Sequence, residues 1–157
     1  AALRGLAERP DVELLYPVHP NPNVQEVVNR LLSGHPRIHL IDPLDYPRFV
    51  AAMRAAYLIL TDSGGVQEEA PTLGKPILVL RDETERPEGV EAGTALLVGP
   101  HRDRILAAAH RLLDDQAAYD AMAQASNPYG DGASSARIAD AVENWLKHTG
   151  RLDEAPC

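Results

Sequence analysis

The segment "LILTDSGGVQEEAPTLGKPILVL", residues 58–80, restricts the fold more than any other. It opens on an apolar run, Leu58-Ile59-Leu60, and closes on a second, Ile77 to Leu80. Between them lie a glycine pair, a stretch of helix formers and a Gly-Lys-Pro stop. Strands that read as continuous apolar runs are buried on both faces, and two parallel strands need a crossover, most often a helix. The stretch therefore predicts strand, turn, helix, strand, which is the repeating unit of a parallel sheet.

The same alternation extends along the chain. Strands are expected at Glu13–Val18, Arg37–Ile41, Leu58–Leu60, Pro76–Leu80 and Ala95–Val98. Helices are expected at Ala1–Arg9, Val24–Leu32, Tyr46–Ala56, after Gly64, and at Arg102–Leu113, Ala117–Ala125 and Ala133–His148. This order predicts an α/β fold, a Rossmann-like doubly wound parallel sheet, with ligands at the carboxyl ends of its strands. With 157 residues and 45% apolar content the chain makes one domain, taken as residues 1–148, with a frayed tail at 149–157. A doubly wound domain usually opens on a strand, whereas this chain opens on a helix. We therefore expect a piece of a longer protein, lacking an upstream strand and a partner domain.

Charge and composition remove several function classes. A net charge of −8 disfavours nucleic acid or an anionic membrane surface as partner, so any phosphate site must be local. The single Cys157 forms no disulfide framework, which suits the cytoplasm. No cofactor is expected, because G-x-G-x-x-G and G-x-x-x-x-G-K-[ST] are both missing. No metal is expected either: H-E-x-x-H is absent and the six histidines are scattered.

Asp62-Ser63-Gly64-Gly65 raises the choice between a nucleophile and a cradle. Chymotrypsin-like proteases carry such a tetrapeptide on an all-β barrel, and the α/β-hydrolase elbow needs a glycine where Thr61 stands. Both contexts disagree with this chain. A helix N-terminus offers free N–H groups, and glycine lets a ligand approach them, so Ser63, Gly64 and Gly65 can hold a phosphate. An ordinary N-cap formed by Ser63 or Asp62 explains the same residues. The local sequence leaves both readings open.

Four loops should converge at the strand ends. Val18 to Asn23 places His19 there, with Asn23 able to cap the next helix. Asp42 to Tyr46 contains Pro43 and leads to Phe49, either a core side chain or a stacking face. The third loop is Ser63-Gly64-Gly65, followed by Glu68 and Glu69, of which a carboxylate could accept from a ribose diol. The fourth, Arg81 to Glu88, offers Arg81 and Arg86 to a diphosphate, or to the neighbouring acids as salt bridges.

Four segments, "YPVHPNPNV", "IDPLDYPRFV", residues 58–94 and "NPYGDG", resemble the non-hydrolysing bacterial UDP-N-acetylglucosamine 2-epimerases. The resemblance runs from about residue 11 to residue 146. It implies the C-terminal, nucleotide-binding half of a GT-B-type, two-domain, usually dimeric enzyme. Phe49 would then stack on uracil beside the Pro43 loop, Glu69 would accept from the ribose, and Ser63, Gly64 and Gly65 would meet the diphosphate. Arg81 and Arg86 would line the sugar-phosphate side, and His19 would touch a second, regulatory UDP-GlcNAc. Residues 127–132 would order C-terminal helices returning toward the partner domain.

The family interconverts UDP-GlcNAc and UDP-ManNAc by eliminating UDP to a 2-acetamidoglucal and adding it back. Its acid-base carboxylates sit on the N-terminal domain, so no catalytic residue is assigned in this chain, which should be inactive alone. A GT-B glycosyltransferase domain and a non-catalytic nucleotide-sugar-binding module are the alternatives.

Overall fold

The computed structural model describes residues 1–149. The tail expected to fray lies outside them, apart from Thr149. Helices and parallel strands alternate as expected: α1 (Ala2–Ala7), β1 (Leu14–Pro17), α2 (Pro22–Leu32), β2 (Ile38–Ile41) and α3 (Tyr46–Ala55) come first. Then come β3 (Ile59–Thr61), α4 (Gly64–Glu69) with a 3-10 turn at Ala70–Leu73, β4 (Ile77–Val79), α5 (Pro87–Glu91) and β5 (Ala95–Leu97). Three helices finish the described chain: α6 (Arg102–Asp114), α7 (Gln116–Ala123) and α8 (Ser134–His148). Among the described residues, no helix is long and apolar enough to cross a membrane.

Two details differ from the sequence reading. The cap of α2 is Asn21, whose side chain accepts from the Asn23 N–H, so Asn23 does not cap. Pro22 decides this, because its fixed φ and missing N–H suit the first helical position and move the helix start upstream. Helix α5 starts inside the stretch expected as a loop; its Pro-Glu opening is a helix-start signal masked by the charged run before it.

The strands pair in two groups. β1 lies parallel to β2 with Leu14 opposite Ile38, and β3, β4 and β5 form a second parallel set in that order. One core packs Leu78, Val98, Ile105, Ala109 and Leu112 under α6, and another packs Ile77, Val79, Ala70 and Ala95 under α4 and α5. The triple of strands is thus covered on both faces. The β1–β2 pair buries Ile38 against Val28 and Leu32 of α2. Helix α1 serves both groups, sending Leu6 to the α6 core and Ala7 to the α2 core.

Candidate functional site

The candidate cradle forms where β3 ends. The Ser63 N–H donates to Thr61 Oγ1 at 3.0 Å, which closes the turn, and α4 begins at Gly64. Ser63 occupies the N-cap position in extended conformation, but its side chain makes no capping hydrogen bond. The ordinary-cap reading therefore fails, and Ser63 and Gly65 stand exposed at the mouth. A first turn without a cap keeps N–H groups available to an outside acceptor.

Arg86 leans over this mouth. Its Nη2 lies 3.9 Å from the point where a Cβ on Gly64 would stand, so the guanidinium and the glycine backbone share one small volume. The expected salt bridges are also present: Arg86 Nε donates to the Glu68 carboxylate, and Nη1 lies 3.9 Å from the Glu85 carboxylate while donating to the Glu85 carbonyl at 3.1 Å. The Glu68 carboxylate raises the Arg86 pKa above its ordinary value, first by hydrogen bonding and then by charge. This pairing neutralises one of the acids that would repel a phosphate. Arg81 differs, being exposed and without an ion pair among the described residues.

Glu69 faces the second loop. Its Oε2 accepts from the Tyr46 hydroxyl at 3.0 Å. That bond raises the Tyr46 pKa, because ionising the phenol would end the donation and set two anions side by side. Phe49 follows Tyr46 by three residues and so lies on the same side of α3. The Phe49 ring is half-buried. Pro43 is exposed in the loop before α3, whose cap Asp45 accepts from the Arg48 N–H at 3.0 Å.

His19 is exposed after β1 and accepts the Asn21 N–H on Nδ1 at 3.2 Å. A backbone N–H thus claims the ring acceptor. With Nδ1 accepting, Nε2 is the ring nitrogen left to donate.

The last motif ties the C-terminal helices down. Asn127 Nδ2 donates to Thr72 Oγ1 at 3.0 Å and to the Gly130 carbonyl, while Asp131 holds Arg137 of α8. Beside this loop a groove of about 890 Å³ is lined by Glu68, Thr72, Tyr129, Asp131 and Arg137. Glu68 belongs to both the groove and the cradle, so the two are continuous.

Three functional-looking residues were missed by the sequence reading. Tyr46 could have been found by its spacing from Phe49. Gln67 follows Ser63 by four residues, one helical turn, yet a glutamine among glutamates carries no signal of burial. Thr84 sits in a run of charges that hides it.

The profile of the family described as UDP-N-acetylglucosamine 2-epimerase matches residues 1–143. A probable UDP-N-acetylglucosamine 2-epimerase of Ralstonia nicotianae is 61% identical over 147 residues, covering 93% of this chain and 39% of that protein. The UDP-N-acetylglucosamine 2-epimerase of Escherichia coli K12 is 57% identical over 134 residues, 85% of this chain and 36% of that one. The S. aureus MnaA-UDP co-structure superposes with a TM-score of 0.86 at 50% identity, over 92% of this chain and 40% of that one. A Neisseria meningitidis UDP-GlcNAc 2-epimerase bound to UDP-GlcNAc gives 0.84 at 44% identity, over 90% of this chain and 38% of that one. The chain thus spans about two fifths of the length of its relatives. On a profile match over nearly all of its length, the chain belongs to the UDP-N-acetylglucosamine 2-epimerase family.

Proposed function

We propose that this chain supplies the UDP-binding half of an enzyme that interconverts UDP-GlcNAc and UDP-ManNAc. One observation carries the reading: the Arg86 guanidinium stands over the uncapped, glycine-lined start of α4. A dianionic diphosphate there would meet backbone N–H donors from below and a fork of charged donors from above. Phe49 would stack on uracil beside Pro43, and Glu69 would exchange the Tyr46 hydroxyl for the ribose diol. Arg81, unpaired among the described residues, would add charge on the sugar-phosphate side.

In this reading the chemistry begins with loss of UDP. The C1–O bond breaks with its electrons passing to the diphosphate, and the C2 proton passes to a base, leaving 2-acetamidoglucal. Re-addition restores both bonds with the proton on the opposite face. Holding the departing diphosphate is electrostatic stabilisation of developing charge, which donors at Gly64, Gly65 and Arg86 can provide. The base is assigned to a partner domain beyond this chain, and the whole is taken to be a cytoplasmic homodimer.

Strand pairing supports the reading that more polypeptide is needed. A doubly wound sheet in the order 3-2-1-4-5-6, deprived of its first strand, leaves the pairings 3-2 and 4-5-6. β1 with β2 and the set β3-β4-β5 match that remainder. An apolar hollow of about 350 Å³ between α1, α2 and α6, lined by Leu3, Tyr16, Val28, Leu80 and Ile105, adjoins the gap. Helix α8 has an apolar stripe, Ile138, Val142 and Trp145, more than half exposed at its two ends, which suits packing against a further domain. His19 Nε2–H is the donor we assign to a second UDP-GlcNAc.

The test uses the complete natural polypeptide, incubated with UDP-GlcNAc in D2O without an acceptor. The reading expects UDP-ManNAc carrying deuterium at C2; an unchanged donor would favour a glycosyltransferase and overturn it. The 157-residue chain alone should bind UDP weakly or not at all and give no turnover.

A further inference from the structure

Gln67 is 2% exposed, although the cradle it belongs to is open to solvent. Its Nε2 donates to the Ser63 carbonyl at 3.3 Å, and its Oε1 accepts from the Thr84 hydroxyl at 2.7 Å. The same Thr84 oxygen accepts the Arg86 N–H at 3.1 Å. We propose that Gln67 and Thr84 are positioning residues that fix the spacing between the Gly64 N–H and the Arg86 guanidinium, and so tune the site for a diphosphate. The proposal rests on the nucleotide reading above and adds the element that holds its two halves in register.

The polarity of the relay is determined. The Ser63 carbonyl can only accept, so it takes the Gln67 NH2, and the amide oxygen is left to accept the Thr84 hydroxyl proton while Thr84 Oγ accepts the Arg86 N–H. The flipped amide would set the Gln67 and Ser63 oxygens against each other. At the Ser63 end the consequence is geometric. The Ser63 carbonyl and the Gly64 N–H lie in one rigid plane and point in opposite directions. Drawing the carbonyl inward, with Gln67 N–H and side chain both donating to it, turns the Gly64 N–H outward to the mouth. At the other end, Thr84 pins the backbone from which Arg86 reaches back over Gly64. One buried amide thereby couples two loops separated in sequence by β4.

Only glutamine meets both demands. A glutamate at 67 has no N–H for Ser63 and would add a buried anion beside the phosphate site. Methionine keeps length but neither bond. At 84, valine keeps the shape without the hydroxyl, and serine keeps the hydroxyl.

The experiment uses the complete natural polypeptide, 15N-labelled, with T84S, T84V and Q67M, each checked for an unchanged amide spectrum away from the cradle. Amide exchange at Arg86 should accelerate roughly tenfold or more in T84V and Q67M, and stay near wild type in T84S. Unchanged exchange in Q67M would overturn the relay. UDP and uridine are then titrated, followed at the Gly64 and Gly65 amides. The UDP-to-uridine affinity ratio should fall about tenfold in T84V and Q67M and recover in T84S, with uridine itself unaffected. Equal losses for both ligands would mean a merely structural role and defeat the proposal. If wild type ignores millimolar UDP, the nucleotide reading fails, while Arg86 exchange still decides the relay.

Discussion

The strands β3, β4 and β5 and the pair β1 and β2 have similar sequences and different surroundings. Ile77, Leu78 and Val79 of β4 are completely buried, with a strand on each edge and helices on each face. Leu15 of β1 is 53% exposed, although it is as apolar as any of them. Burial is therefore set by how many neighbours a strand possesses, and not by its hydrophobicity. The cradle sits at the end of β3 in the three-stranded set. His19 sits at the end of β1 in the two-stranded pair, where its loop is tied to β2 by the Val18 N–H and otherwise by its own turn bonds.

The largest expected contrast is in core truncation. Leu78→Ala should destabilise by about 2–5 kcal/mol and Leu15→Ala by less than about 1, read from urea midpoints. Similar losses would break the comparison. Next comes Gly89→Ala in the three-stranded half. A Cβ there would stand 2.7 Å from the Tyr129 hydroxyl, at the end of a rigid ring, so overpacking of about 1–3 kcal/mol follows. Tyr129→Phe should restore part of the loss, and no rescue would mean that the contact is not the cause. Helix caps give a smaller effect of opposite placement. Asn21→Ala should cost about 0.5–2 kcal/mol, because its side chain caps α2. Ser63→Ala should cost almost nothing in stability, because that side chain caps nothing. A costly Ser63→Ala would mean that α4 is closed by its own serine.

The smallest effect is a pH dependence. Glu69 holds the Tyr46 pKa above its ordinary value, so protons bind the folded phenol more tightly than the unfolded one. The stabilisation is complete below the unfolded tyrosine value of about 10 and is lost as pH rises through the higher folded value. An absorbance titration comparing wild type with Y46F should show one phenol ionising late. Its absence would sharpen the contrast by making the Tyr46–Glu69 contact a surface accident.

Much of this was legible in sequence, and the reasons separate cleanly. Element order follows from apolar runs and helix periodicity, so β1 to β5 fell within a residue or two of their expected bounds. The cradle residues followed from turn chemistry, since a glycine pair after a strand implies backbone approach. Pairing choices were not legible: Arg86 faces several acids, and only the fold selects Glu68. The burial of Gln67 was hidden for the same reason, because a side chain's partners from another loop leave no trace in its own neighbours. The split of the sheet was invisible as well, since strand adjacency is a property of the crossover connections.

Strands β1 and β3 differ at their borders. Leu14 and Val18 bond to β2, and Ile59 and Thr61 engage β4, so the intervening residues aim their amide groups the other way. On β1 those residues are Leu15 and Pro17, and proline has no N–H to offer, which blunts that border against sticking. On β3 the intervening residue is Leu60, with donor and acceptor both intact. The β3 border therefore lacks the proline that blunts β1, and because the Leu60 side chain packs on the α6 core, a lysine there would set a charge against that core rather than on the surface.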